Sequence, residues 1–104
     1  MRRSPPHKWL LNIQPSAKRA FDGLPPSTRR TIFRILRELL NAEDPYTLPA
    51  VEMLKEAKFE RIRRFRAGDY RVFFVVEARE VIHLQHTYKG TLYVLDIRDR
   101  KAAY

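Results

Sequence analysis

Residues 64–74 of the chain read Arg64-Phe65-Arg66-Ala67-Gly68-Asp69-Tyr70-Arg71-Val72-Phe73-Phe74. Basic and apolar residues alternate before Gly68, and an apolar run follows Arg71, which is typical of two β-strands. Gly68 supplies the permissive backbone that a tight turn needs. We therefore predict an antiparallel hairpin with strands over residues 59–65 and 70–77, joined by the turn Arg66-Ala67-Gly68-Asp69.

The residues that flank this hairpin also have a regular pattern. Downstream, residues 81–87 and 92–97 predict two more strands, and their short connection around Gly90 favours antiparallel pairing between them. Upstream, residues 50–58 give an ambiguous signal, which we interpret as an irregular segment that leads into the hairpin.

The N-terminal part of the sequence predicts one strand and two helices. Residues 9–14 alternate apolar side chains onto one face of a strand that ends before Pro15, and Ser16 is the expected N-cap of a short helix. A second helix, beginning at Pro26 or Ser27, carries the apolar stripe Ile32, Ile35, Leu36, Leu39 and Leu40. The order of elements predicts an α+β fold, in which an N-terminal strand and a helical hairpin pack on a mostly antiparallel sheet of about four to five strands.

Length and composition limit the classes of protein that the chain can represent. The length of 104 residues predicts one domain, over residues 8–104, and we expect a flexible basic arm over residues 1–7. No apolar run approaches the roughly 20 residues that span a bilayer, and no apolar segment of a signal peptide follows the charged N-terminus. Cysteine is absent, which excludes disulfides and thiolate zinc sites. We expect a cytoplasmic protein without a membrane partner.

The charge balance indicates a polyanionic partner. Lysine and arginine together number 21 against 12 acidic residues, so the net charge is +9. Such an excess is typical of proteins that bind nucleic acid, the ribosome, an acidic protein or an anionic membrane. Arginine predominates, and its planar fork grips a phosphate at two points.

The basic residues concentrate in two stretches. The first covers residues 55–71, where we expect Arg61 and Arg63 to share one face of a strand and Arg64 to point away from Arg63. This stretch has two interpretations: a solvated sheet face with core aromatics between the charges, or a groove that binds phosphates and stacks bases. The second stretch is Arg98, Arg100 and Lys101 beside Tyr104, which is either a basic tail or a phosphate-binding strand end.

No metal site or cofactor is expected. His83 and His86 lie three residues apart on one predicted strand and would face opposite sides, which argues against joint metal binding. Glycine-rich phosphate loops and Ser-His-Asp arrangements are absent from the sequence.

Residues 64–74 resemble the central signature of the RelE/ParE toxin superfamily, and residues 94–104 resemble its final strand with the Arg and Tyr that follow. The resemblance covers roughly residues 8–104. It implies a toxin of a type II toxin–antitoxin system that assembles with a cognate antitoxin. In the RelE branch the toxin is a metal-independent endoribonuclease that cuts mRNA in the ribosomal A site; in the ParE branch it poisons DNA gyrase and cleaves no RNA. The two motifs do not separate the branches, although the charge favours the RelE branch.

The resemblance also assigns roles to residues. Arg98 takes the position of the Arg that stabilises the transition state, Tyr104 that of the C-terminal site tyrosine, and Arg71 that of the phosphate-holding Arg. The remaining basic residues of the two stretches are expected to bind RNA phosphates: Arg61, Arg63, Arg64, Arg66, Arg100 and Lys101.

The chemistry expected in the RelE branch is attack by the RNA 2′-OH on the neighbouring phosphorus, with arginines stabilising the phosphorane. Arginine cannot act as a base, because its very high pKa keeps it protonated in proteins. Tyr104 is the last residue of the sequence, so its own α-carboxylate would oppose phosphate binding. His83 or His86 is an alternative acid or base, since histidine titrates near neutrality.

Overall fold

A five-stranded mixed sheet forms the centre of the structure, a computed structural model that describes residues 7–54 and 61–100. The elements, in chain order, are β1 (Trp9–Ile13), α1 (Pro15–Asp22), α2 (Pro26–Asn41), a 3₁₀ turn (Pro45–Thr47), β2 (Glu52–Met53), β3 (Arg63–Ala67), β4 (Tyr70–Glu77), β5 (Val81–His83), β6 (His86–Tyr88) and β7 (Gly90–Asp99). The sheet order is β1-β7-β4-β3-β2, with β1 parallel to β7 and the other pairs antiparallel. The predicted α+β fold and strand number are confirmed.

The two helices cover one face of the sheet. All five residues of the predicted α2 stripe are buried, together with Ala17 and Phe21 of α1. They pack against Phe65, Val72 and Phe74 of the predicted hairpin and against Leu92, Val94 and Ile97 of β7. Burying each large apolar side chain contributes about 1.5–3 kcal/mol, so this layer is the main source of stability. No helix among the described residues is long and apolar enough to cross a membrane.

The start of α1 differs from the prediction. Ser16 is not the N-cap, because the helix already begins at Pro15 and Gln14 precedes it without a side-chain cap. Proline is favoured at a first helical position, where its fixed φ suits the helix and no backbone N–H is needed. Ser16 Oγ instead donates a hydrogen bond to the carbonyl of Leu95, at 3.3 Å, and so ties α1 to β7.

The prediction of a single strand over residues 81–87 is wrong. Leu84 and Gln85 adopt positive φ angles of 48° and 68°, and the chain reverses there to form a separate β5–β6 hairpin. Neither residue is a usual turn former, so the sequence carried no signal for this reversal. The predicted pairing of residues 81–87 with 92–97 is also wrong, because β7 pairs with β4 and β1.

The remaining boundaries are close to those predicted. The strand predicted over residues 59–65 corresponds to β3, which begins only at Arg63 and extends to Ala67, so the hairpin turn shortens to Gly68 and Asp69. Part of the segment 50–58 forms the short strand β2, whereas residues 55–60 lie outside the described part of the chain. The predicted basic arm lies there too, except for its last residue, His7.

Exposed charges fasten the start of β1 to the loop after α2. Glu43 forms ion pairs with Lys8 and, at 2.9 Å, with Lys89. Hydrogen bonds from these two lysines, that from Lys8 foremost, lower the pKa of Glu43 to about 2. Because all three side chains are largely exposed, solvent screening keeps their contribution to stability small.

Gly90 permits close packing where β7 begins. It lies opposite Trp9, whose buried indole donates from Nε1 to the carbonyl of Ala42 at 2.8 Å. A Cβ at residue 90 would lie 2.7 Å from Trp9 Cζ3 and 2.1 Å from the carbonyl oxygen of Glu77. The Glu77 oxygen belongs to the backbone and accepts a hydrogen bond from the Arg79 N–H at 2.9 Å, so any side chain at residue 90 forces the chain to shift.

We predict that Gly90→Ala lowers the free energy of unfolding by about 3 kcal/mol, the upper part of the usual range for overpacking. Urea unfolding followed by circular dichroism measures this change. Gly23→Ala is the matched control, because a Cβ there meets only ordinary contacts of 3.7 Å or more. Equal stability of the two variants would contradict the packing argument.

Candidate nucleic-acid interface

A β-bulge in β7 determines which face of the sheet carries the proposed site. Leu92 and Val94 are buried against the helices, and strict alternation would send Arg98 to the same side. The register between β4 and β7 shifts at Leu95, so that Phe73 pairs with Asp96 and Val72 pairs with Ile97. The extra residue therefore returns Ile97 to the core and places Arg98 on the face that the helices leave open.

Arg71 and Arg98 lie directly opposite each other on this open face, which brings the two basic stretches of the sequence together. The Arg98 Nε donates to Asp96 Oδ2 at 2.6 Å, and its Cζ lies 5.9 Å from the centre of the Phe73 ring. Like charges directly opposite on a sheet destabilise it. The pairing therefore concentrates positive charge at this end of the open face, where an anion would be attracted.

A second contact also joins the two stretches. The backbone N–H of Arg100 donates to the carbonyl of Asp69 in the hairpin turn, at 2.7 Å. Arg100 is exposed at this end of the sheet. Lys101 and Tyr104 lie outside the described residues, so their expected roles stay predictions.

Arg64 and Arg66 share the open face and contact one carboxylate. The Glu52 side chain on β2 approaches Arg66 Nε at 3.0 Å and an Arg64 terminal nitrogen at 3.6 Å. Arg66 is largely exposed, whereas Arg64 is mostly covered. Glu52 thus neutralises part of the positive charge of this face.

Arg61 and Arg63 lie elsewhere. Arg63 precedes the buried Phe65 by two residues on β3, and its guanidinium stacks 4.6 Å from the centre of the Tyr46 ring. The Tyr46 hydroxyl donates to the carbonyl of Arg61 at 2.7 Å. Arg61 is in a turn rather than in the predicted strand, so the expected pairing of these two arginines on one strand face is wrong.

The open face contains a depression of about 240 Å³ next to Arg98. Its lining consists of Leu54, Ile62, Phe73, Leu95, Asp96 and Arg98. An aromatic ring beside cationic side chains is the combination that binds single-stranded nucleic acid, because bases stack on the ring while phosphates pair with the charges.

The two histidines are not arranged as the sequence suggested. His83 and His86 face each other across the β5–β6 hairpin as directly paired residues, instead of lying on opposite sides of one strand. This hairpin belongs to a separate sheet, so neither histidine lies on the strands that carry Arg71 and Arg98. Within residues 7–54 and 61–100, no group of three or more His, Asp or Glu side chains is placed to hold a metal ion.

Sequence reasoning missed three residues of this face: Glu52, Phe73 and Asp96. Counting charges showed where arginines cluster but not which carboxylates would meet them. The signal for Asp96 was present in the run Val94-Leu95-Asp96-Ile97, where two adjacent apolar residues interrupt the alternation.

Comparison with solved structures identifies the fold. The chain is similar to a RelE toxin in the toxin–antitoxin complex RelBE2 from Mycobacterium tuberculosis, with a TM-score of 0.64 and 16% identity over 94% of this chain and 98% of that one. It is also similar to a chain of the archaeal RelE–RelB complex from Pyrococcus horikoshii OT3, with a TM-score of 0.62 and 21% identity over 92% and 99%. No protein-family model matches the sequence, and no curated protein matches it significantly.

These likenesses confirm that the chain has the fold of the RelE toxins, as the resemblance in the sequence implied. The likenesses cover nearly the whole of each chain.

We predict that Glu52→Gln strengthens the binding of a short single-stranded RNA about two- to fivefold, because Arg64 and Arg66 lose a competing carboxylate. Fluorescence anisotropy at fixed ionic strength measures the dissociation constant. Glu38→Gln removes the same charge from the exposed side of α2 and serves as the control. If both variants gain equally, only net charge matters and Glu52 has no specific role.

Proposed function

We propose that this protein is the toxin of a type II toxin–antitoxin system and a metal-independent endoribonuclease that cleaves mRNA on the ribosome in the cytoplasm. The observation that carries the proposal is the direct pairing of Arg71 with Arg98 on the open face, next to Arg64 and Arg66. The RelE-like fold supports it, since the two similar structures are toxin–antitoxin complexes.

RNA supplies its own nucleophile, so the protein needs to position groups rather than provide one. The 2′-OH must lie in line with the phosphorus and the leaving 5′-oxygen, and it must lose its proton as the new P–O bond forms. The products are a 2′,3′-cyclic phosphate and a 5′-hydroxyl. Arg98 and Arg71 stabilise the additional negative charge on the phosphorane. Tyr104 is proposed to relay the proton of the 2′-OH to the leaving 5′-oxygen.

The helices supply a reason to propose a large RNA assembly as the partner. Arg30, Arg34 and Arg37 are exposed on α2, on the opposite side of the sheet from Arg98, and surround Phe33, whose exposure is 47%. A protein that is basic on both sides fits a cleft between phosphate backbones better than a single extended strand. The ribosome offers such a cleft.

The antitoxin is proposed to cover the open face. An acidic or amphipathic segment would satisfy the arginines and fill the depression beside Phe73. It would thereby compete directly with RNA for the same surface.

We predict that inducing the protein without its antitoxin stops incorporation of labelled amino acids before that of labelled thymidine. Translation would fail first if mRNA is the target. Pulse-labelling both processes in parallel makes the distinction. Early loss of DNA synthesis with double-strand breaks would instead indicate the ParE-like alternative, a DNA gyrase inhibitor without nuclease activity.

We predict that Arg98→Ala lowers the rate of mRNA cleavage about 10²–10³-fold and abolishes growth inhibition, because it removes a donor aimed at the developing charge. Cleavage of ribosome-bound mRNA is followed by primer extension. Circular dichroism checks that the fold persists. Arg79→Ala, which removes an exposed arginine from the loop before β5, is expected to behave as wild type. Full toxicity of Arg98→Ala would refute the role of this residue.

A further inference from the structure

We propose that Asp96 is a positioning residue for Arg98, whose guanidinium it orients toward the scissile phosphate. This inference rests on the proposed ribonuclease function and extends it to a residue outside the two basic stretches. Asp96 is acidic on a face that should attract phosphate, so its presence there calls for a physical reason.

The Asp96 carboxylate is held at both oxygens. Oδ1 accepts a hydrogen bond from the backbone N–H of Ile97 at 2.9 Å, and Oδ2 accepts one from Arg98 Nε at 2.6 Å. The first bond fixes the carboxylate to the backbone, so the second transmits that fixed orientation to Arg98. Because Arg98 bonds to Asp96 through Nε, that bond leaves its two terminal nitrogens, as far as residues 7–54 and 61–100 are concerned, to form the fork that binds phosphate.

The bulge builds this arrangement. Asp96 follows the extra residue Leu95 and lies opposite Phe73, which places its carboxylate on the same open face as Arg98. The Phe73 ring provides a second contact for the Arg98 guanidinium. Arg98 is therefore constrained by a carboxylate and a ring before any substrate arrives.

Orientation of Arg98 explains the presence of Asp96 better than folding stability or phosphate binding does. The side chains of Arg98 and Asp96 are 56% and 32% exposed, and an ion pair of that exposure adds little to folding stability. Its negative charge also repels an incoming phosphate. What the pair does supply is a preset geometry, which removes the entropy loss of ordering a long arginine side chain in the transition state.

The test compares wild type, Asp96→Ala, Asp96→Asn and Arg98→Ala in steady-state cleavage of ribosome-bound mRNA. We expect Asp96→Ala to lower kcat about tenfold with an unchanged or lower KM, because orientation is lost while a repelling charge disappears. Asp96→Asn, which keeps one acceptor oxygen, should lie between wild type and Asp96→Ala. Unchanged kcat in Asp96→Ala overturns the proposal.

Two further readouts separate a positioning role of Asp96 from a purely structural one. Thermal unfolding of each variant measures the folded fraction. If kcat falls only in proportion to the folded fraction, the role of Asp96 is structural and the proposal is overturned. NMR of the Arg98 Nε–H, assigned with Arg98→Lys, should show slow exchange with water in wild type and fast exchange in Asp96→Ala. If wild type cleaves no RNA, the proposed function fails, and the NMR comparison alone decides whether Asp96 holds Arg98.

Discussion

The distribution of charge over the sheet depends on a single extra residue in β7. The one-residue shift at Leu95 keeps Leu92, Val94 and Ile97 on the helical side and sends Asp96 and Arg98 to the other. With strict alternation, the Asp96 and Arg98 side chains would both point into the core, at a large desolvation cost. The bulge thus serves the core and the open face together, because the same shift that buries Ile97 places Arg98 opposite Arg71.

Carboxylates, as much as arginines, determine how strongly the open face attracts anions. Glu52 contacts Arg64 and Arg66, and Asp96 contacts Arg98. A face made of arginines alone would bind any polyanion, whereas arginines held by carboxylates are preset in direction and reduced in non-specific attraction. The proposed ribonuclease function, in a protein of net charge +9, requires both properties.

The β3–β4 hairpin, the two helices and the first strand could be predicted because each rests on a local pattern. The α2 stripe follows the helical period, and Gly68 marks the turn between β3 and β4. The β5–β6 reversal could not be predicted, since Leu84 and Gln85 are residues that seldom occupy positive φ. For the site, the sequence pattern placed Arg98 at a strand end near the arginine-rich hairpin, and the family resemblance alone assigned a role to Arg71. The separation of Arg63 from Arg64 and Arg66 followed from strand alternation, whereas its stacking on Tyr46 depends on a contact distant in sequence.

The parallel pairing of β1 with β7 has a consequence for folding during translation. Trp9 pairs with Gly90, so β1 cannot pair until β7, which is translated much later, is available. Contacts between such distant residues form slowly. Strand β7 lies between β1 and β4, so the sheet cannot be completed without it. A nascent chain that has not yet emerged through β7 has no paired arginines. The open face, with Arg71 opposite Arg98, therefore forms only after β7 has emerged from the ribosome that synthesises the protein.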